Sequence, residues 1–323
     1  MRRQERIANW AAKLSVTPVV WFETIKQYKE RHDGNAPPTK SLNKIGTLAA
    51  FRIDPSGSRL PLDYSWYRYG TVAERLPSEV VRFEDPDSGQ PCADWKGPRP
   101  DFQQDDPLVA RVREEIGHVI ADYPEDSDFE RLVDEVYEFA PFPFQRSYRL
   151  ARMRLGVTGH GSRFENEVRV RDFWELLNAA LSEFPEQDFP QVALTVGPLR
   201  EIIKLTWNQL PSRDLDATKA VVEGFWDTFC SFLRAHDLGH SKGLGSERIH
   251  QRAVEAGWSL DRLRDLFGDM ALRISDRIPD VAEDATLGPI IENRRKDIEE
   301  QSTALEQGLA AADEIRRLIA QGD

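Results

Sequence analysis

The sequence of 323 residues is poor in cysteine and has no long apolar run. Its two cysteines, Cys92 and Cys230, lie far apart, so they form no cluster of the zinc-finger type. No apolar stretch of about 18 residues is present, which argues against a transmembrane helix. The N-terminal segment MRRQERIANW lacks the apolar stretch of a signal peptide. We therefore expect a protein of the reducing cytoplasm.

Several catalytic signatures are also missing. The sequence contains no glycine-rich phosphate loop of the Walker or dinucleotide-binding type. It contains no GxSxG nucleophile motif either. The segment SKGLGS at 241–246 has two glycines, but no predicted strand precedes it. These absences count against the common nucleotide-binding and hydrolase classes.

What is present is enough apolar material for a core, together with an uneven distribution of charge. Hydrophobic residues make up 40% of the chain, and its length suggests two domains. The net charge is −12, yet residues 1–100 carry 16 Lys and Arg against 12 Asp and Glu. Such asymmetry can mark the part of a chain that faces nucleic acid. We therefore place any DNA binding in residues 1–100.

The first hundred residues alternate between helical and strand patterns. Apolar spacing predicts helices at 2–14, 17–33 and 40–52. The strand VVRFED, the turn PDSG and the return strand QPCADWK follow. Three helices and then a hairpin is the order of a winged-helix unit. We expect residues 38–97 to be compact, with Trp66 and Tyr69 at least partly buried.

Beyond a linker at 97–107, the pattern is helical almost to the end, and Asp106 and Pro107 are predicted to start a helix that runs to Ala121. One predicted helix covers 215–235 and ends at His236 and Asp237, and two more are separated by Gly257, Trp258 and Ser259. The predicted fold is therefore mainly α. A winged-helix-like α+β domain at 1–100 precedes an α-helical domain at 107–323 with a long C-terminal helix.

The C-terminal helix, predicted at 289–320, carries an apolar residue at every seventh position. These residues are Ile291, Ile298, Leu305 and Ala312. The pattern is typical of a coiled coil with a protein partner or a second copy. Packing against its own domain is an equal alternative.

A resemblance to a known family rests on two short segments. The first is the helix with Lys40, Leu42, Lys44, Ile45 and Leu48. The second is the aromatic turn with Trp66, Tyr67, Tyr69 and Gly70. Together they resemble a loose group of winged-helix proteins that includes Panacea-type antitoxin domains. The sequence departs at Thr71, where the family often has proline.

This resemblance implies a regulator or adaptor subunit in toxin–antitoxin control or genome defence, with no cofactor. A winged helix places one helix in the major groove, while arginine and lysine contact phosphates. The candidate DNA-binding residues are Lys40, Lys44, Arg52, Arg59, Arg68, Arg75 and Arg82. A core role for the aromatics, with the basic residues as a solvated face, stays open.

A second, shorter resemblance involves the segment HDLGH at 236–240. It is similar to the HD signature of metal-dependent phosphohydrolases, in which adjacent His and Asp hold a divalent metal. The resemblance implies His236, Asp237 and His240 as catalytic candidates, and His160, His236 and Asp237 as metal ligands. Downstream ligands are Asp265, Asp269 or Asp276. A structural role for the segment at the end of a helix is the alternative.

The function that we predict is a non-catalytic regulatory or adaptor protein that binds DNA, a protein partner or both. The alternative is an HD-type phosphohydrolase with a divalent metal. A further alternative is a helical scaffold subunit of a larger assembly.

Overall fold

The computed structural model describes residues 2–56, 60, 62–86, 88–101, 106–156, 163–207, 215–240 and 246–321. It is mainly α-helical with two small antiparallel sheets, which confirms the fold class in its coarse form. In this part of the chain, no helix is long and apolar enough to cross a membrane.

The chain divides into two compact units. Unit 1 comprises Met1–Arg146 and Leu233–Arg252, and unit 2 comprises Ser147–Phe232 and Ala253–Asp323. The linker that we predicted at 97–107 therefore lies inside unit 1. A segment from the second half of the chain belongs to unit 1, which no composition change in the sequence indicates.

Unit 1 begins with two helices, α1 (Arg2–Arg31) and α2 (Thr39–Ile53). We predicted a helix boundary before Pro18, and this prediction is wrong because α1 continues through the proline. A proline inside a helix removes one backbone hydrogen bond. The side chains of Val19, Val20 and Trp21 directly after it are fully buried, and this packing offsets the loss.

Two hairpins follow α2. Strand β1 (Tyr64–Tyr67) pairs with β2 (Gly70–Ala73), and β3 (Val80–Glu84) pairs with β4 (Pro91–Trp95). The second hairpin was predicted, whereas the first was not. The winged-helix arrangement itself is not confirmed.

The core of unit 1 forms where α1, α2 and the hairpins meet. Trp21, Leu42, Ala73 and Ala93 are all buried there. Gly46 of α2 lies against Trp21, and a Cβ atom at that position would come within 2.5 Å of the indole ring. The glycine therefore has a packing role and does not interrupt the helix.

Two more helices complete the helical layer of unit 1. They are α3 (Pro107–Asp122) and α4 (Phe129–Tyr137), with a short 3-10 turn at Asp126–Asp128 between them. The start of α3 is as predicted: the Asp106 side chain accepts a hydrogen bond from the Leu108 N–H at 2.8 Å, and Pro107 follows the cap. The next helix, α5 (Pro143–Gly156), begins in unit 1 and continues into unit 2.

The remaining helices are α6 (Arg163–Ser182), α7 (Pro190–Ala193), α8 (Val196–Trp207), α9 (Leu215–His240), α10 (Ser246–Ser275) and α11 (Gly288–Gln321), with a 3-10 turn at Pro279–Glu283. The break predicted at 257–259 is wrong, because α10 is continuous there. The Ser259 carbonyl accepts a hydrogen bond from Thr228 at 3.0 Å, so this part of α10 is tied to α9. The core of unit 2 contains the buried aromatic side chains of Tyr148, Phe225, Trp226 and Phe229.

Candidate functional site

The turn between β1 and β2 consists of Arg68 and Tyr69, and Gly70 follows it. Gly70 has φ +88°, a left-handed conformation that glycine adopts without a Cβ clash. The hydroxyl of Tyr137 on α4 accepts a hydrogen bond from the Gly70 N–H at 3.1 Å and donates one to the Arg68 carbonyl at 3.3 Å. One tyrosine hydroxyl therefore holds both ends of the turn.

Polar side chains of helix α2 form hydrogen bonds with the same hairpin. The Lys44 ammonium is buried and donates a hydrogen bond to the Thr71 carbonyl. The Asn43 side chain accepts one from the Ala73 N–H at 3.0 Å. The helix and the aromatic turn that we compared with antitoxin domains therefore meet in space. Lys44, with 2% of its surface exposed, holds strand β2 and does not face solvent.

A buried ion pair joins Glu74, the residue after β2, to Arg234 in the last two turns of α9. The Arg234 Nε donates to the Glu74 carboxylate at 2.5 Å, and the two side chains are 14% and 1% exposed. Ser65 donates to the same carboxylate oxygen. Burial alone would raise the pKa of Glu74. The hydrogen bonds from Arg234 and Ser65, with the charges of Arg234 and Arg252, outweigh it and lower this pKa below its ordinary value.

Two guanidinium groups lie near the ring of Tyr67. The Cζ atom of Arg68 is 5.5 Å from the ring centroid, and that of Arg234 is 5.1 Å away. Both distances are within the range of cation–π attraction. Among the described residues, the bond from Nε to Glu74 is the one hydrogen bond that Arg234 makes. This bond fixes the orientation of the guanidinium on one side.

Arg52, another predicted DNA-binding residue, lies inside a group of three carboxylates. It donates to Glu135 at 2.8 Å, to Glu115 at 3.1 Å and to Asp122 at 3.2 Å. Burial would lower the pKa of the guanidinium, but the hydrogen bonds to Glu135 and Glu115 outweigh burial and raise it. With its donors occupied in this way, Arg52 links α2 to α3 and α4.

The other predicted DNA-binding residues lie at or near the surface. Lys40, Arg75 and Arg82 are exposed, and Arg68 is half-buried. The Lys40 ammonium is 4.7 Å from the ring centroid of Phe129. Arg59 lies outside the described residues. Trp66 is buried as predicted, whereas Tyr69 is 56% exposed and that prediction is wrong.

The HDLGH segment forms the last five residues of its helix. Helix α9 continues through His240, so the predicted stop at His236 and Asp237 is wrong. Residues 237 and 240 have no described side chains, and His160 lies outside the described residues. Where side chains are described, no group of three or more His, Cys, Asp or Glu can hold a metal ion. The metal-site alternative stays a prediction.

In unit 2, two of the downstream candidates for metal ligation are paired with an arginine. Asp265 and Asp269 both accept hydrogen bonds from Arg294 of α11 at 2.8 Å. They fix the start of α11, where Ile291 is also buried. Further along α11, Ile298 and Leu305 are 45% and 65% exposed. Of the apolar positions predicted for self-association, Ile298 and Leu305 are therefore exposed and Ile291 is buried, while the side chain of Ala312 is not described. Association through this helix stays a prediction.

A shallow cleft in unit 1 is a further candidate for a small-molecule site. Its walls include Tyr28, His32, Tyr123 and Phe129, and its enclosed part has room for about one water molecule. At its edge, burial and the hydrogen bond to Glu135 raise the pKa of Tyr123 to about 12.

Sequence reasoning missed Glu74, Arg234 and Tyr137. The partners of these pairs are separated by 160 and 67 residues along the chain. No local pattern predicts pairing over such distances. Comparison with protein-family models, curated proteins and solved structures gave no match for this chain.

Proposed function

We propose that this is a non-catalytic regulatory or adaptor protein that binds DNA with unit 1. The observation that carries the proposal is the ion pair between Glu74 and Arg234. It brings the basic, aromatic segment 64–75 together with a second basic segment. Residues 234–252 carry four Lys and Arg against two Asp and Glu, in a chain whose net charge is −12.

The chemistry of this surface suits a phosphate backbone. Arg68 and Arg75 can approach phosphates, and the Arg234 guanidinium is held in place by Glu74. Tyr69 is 56% exposed beside them and offers a ring for stacking on an unpaired base. Glu74 is buried and paired, so its charge opposes an anion less than an exposed carboxylate would.

The winged-helix form of the proposal assigns the β3–β4 hairpin as the wing. Helix α2 does not suit the role of a recognition helix, because 12 of its residues are buried. An inserted helix must present its side chains to base edges. In our proposal the β1–β2 turn and the basic segment of α9 and α10 make the contacts instead. We therefore expect binding dominated by phosphates, with little sequence preference.

The test is fluorescence anisotropy with a labelled DNA duplex and a single strand of the same sequence, over a series of salt concentrations. The variant Arg68→Glu/Arg75→Glu should lower affinity at least about tenfold. Its salt slope should decrease by about 0.9 for each phosphate that the variant no longer neutralises. The matched control is Arg111→Glu/Arg264→Glu, which reverses the same charge at two exposed arginines elsewhere.

An equal fall in affinity for the two double variants would attribute the effect to net charge and contradict the proposed surface. No binding by the wild type at low salt would remove DNA as the ligand. Stronger binding of the single strand would assign the exposed Tyr69 ring to base stacking.

A further inference from the structure

Strand β3 is the outer strand of its hairpin. The far edge of β4 is covered, because the Ala93 N–H donates to the Pro37 carbonyl at 3.1 Å and Pro38 forms a bridge with Cys92. Within the described part of the chain, β3 pairs with β4 alone. Two apolar side chains on one face of β3 are exposed, Val81 by 43% and Phe83 by 39%.

The register of the hairpin determines which backbone groups point outward. The Lys96 N–H donates to the Glu79 carbonyl, and the Asp85 N–H donates to the Gln90 carbonyl. In an antiparallel pair, hydrogen-bonded residues alternate with residues whose backbone groups face away. Odd-numbered residues of β3 therefore bond to β4. The N–H and C=O groups of Arg82 and Glu84 face the open edge.

An open edge of this kind can accept a second strand through backbone hydrogen bonds. Only the even-numbered residues of β3 have backbone N–H and C=O groups that face the open edge. Two copies of β3 can therefore pair about a twofold axis in only a few registers. An axis at Arg82 would place Arg82 opposite itself, and an axis at Glu84 would place Glu84 opposite itself. Like charges directly opposite each other are destabilising.

A third register has its axis at Phe83. Arg82 then lies opposite Glu84 of the second copy, and Glu84 lies opposite Arg82 of the second copy. All four outward backbone groups of each strand find partners, and the two Phe83 rings meet on the face where Val81 is also exposed. Opposite-charge and aromatic cross-strand pairs are both favourable.

We propose that β3 pairs antiparallel with β3 of a second copy, forming a four-stranded sheet across a twofold axis at Phe83. The occupant is a second copy because the strand complements itself in charge and in backbone pairing. Charged residues commonly keep other strands away from an edge. Here Arg82 and Glu84 are two residues apart. In the register with its axis at Phe83, each therefore lies opposite the oppositely charged residue of the second copy. This proposal does not depend on DNA binding.

The first test is a disulfide cross-link. In a Cys92→Ala background, Phe83→Cys should form a covalent dimer under mild oxidation. Opposite residues that are not hydrogen-bonded have Cα atoms about 4.5 Å apart, within reach of a disulfide. The matched variant Val81→Cys, also in Cys92→Ala, should stay monomeric, since its two Cα atoms would be about 13 Å apart. Equal cross-linking of both variants would overturn the register.

The second test is a charge exchange followed by sedimentation velocity over a concentration series. Arg82→Glu and Glu84→Arg alone should each raise the dissociation constant of the dimer about tenfold. The double variant Arg82→Glu/Glu84→Arg restores opposite charges and should return the constant to near the wild-type value. A wild type that is monomeric throughout would overturn the proposal. So would a dimer that neither single variant weakens, which would place the contact elsewhere, for example on α11.

Discussion

The two units of this chain bury different kinds of side chain. Unit 1 buries ionisable groups, among them Glu23, Lys44, Glu74 and Asp94. The core of unit 2 is aromatic. In the described part of unit 2, Arg149 is the one charged residue that is buried. Both units have an apolar core. A shortage of apolar residues therefore does not explain why unit 1 buries charged side chains.

The partners of the buried charges indicate that cause. Glu23 accepts from Arg113, 90 residues away, and Glu74 accepts from Arg234, 160 residues away. An apolar contact accepts many partners, whereas a buried charge requires a specific one. We therefore expect the ion pairs of unit 1 to favour contact between particular distant segments. In unit 2 the aromatic side chains contribute mainly packing and buried area.

The largest effect that we expect comes from breaking one of these pairs. The substitution Arg234→Gln leaves the Glu74 carboxylate buried without its counter-charge, and it should cost about 3 kcal/mol in free energy of unfolding. Urea unfolding measures the cost. Hydrogen exchange should locate it in 64–75 and 233–240, with unit 2 unaffected.

The matched control for this prediction is Arg264→Gln. Arg264 is 61% exposed and pairs with Asp261 across one helical turn at 3.2 Å. Its loss should change stability by less than about 0.5 kcal/mol. A similar, small cost for both variants would mean that the Glu74 pair does not hold the segment 233–252 in unit 1.

A smaller effect should follow acidification. Because the pKa of Glu74 is lowered in the folded protein, its pairing stabilises unit 1 fully above the pKa of the unfolded state. That contribution is lost as pH falls towards the folded pKa. Protection from exchange in 64–75 should therefore decrease below about pH 4.5, where an unfolded glutamate begins to bind protons.

The variant Glu74→Gln provides the control, because it removes the titrating group. Its protection in 64–75 should be lower at neutral pH and less sensitive to acid than that of the wild type. Segments in the aromatic core of unit 2, such as 222–230, should change little over the same range. An identical acid response of wild type and variant would assign the effect to other carboxylates.

Sequence reasoning succeeded where the physical cause is local. The cap at Asp106 and Pro107 started α3 as predicted, and the turn PDSG correctly indicated the β3–β4 hairpin. It was wrong where tertiary packing overrides a local signal. Helix α1 continues through Pro18, and α10 continues through Gly257. In each case neighbouring segments of the fold offset the local cost.

The candidate site could be predicted only in part for the same reason. Arg68 and Lys44 were singled out from the sequence, but their different positions, half-buried and fully buried, depend on Tyr137 and Thr71. No sequence pattern distinguishes Arg234 beside the HDLGH segment. Its importance comes from a carboxylate 160 residues earlier, which local patterns cannot predict.

The smallest effect that we expect is a difference in stability between two glycine-to-alanine variants of unit 1. The comparison distinguishes the cost of backbone strain from the cost of crowding. Gly70 and Gly34 have nearly the same positive φ, +88° and +90°. Replacing either by alanine should cost about 1 kcal/mol for the left-handed conformation. Only Gly70 is crowded: a Cβ atom there would lie 3.3 Å from Val136, whereas nothing lies within 4 Å at Gly34. Gly70→Ala should therefore cost about 1 kcal/mol more than Gly34→Ala in urea unfolding. Equal costs would mean that the turn is not pressed against α4, and the fixed position of Arg68 beside Tyr67 would lose its support.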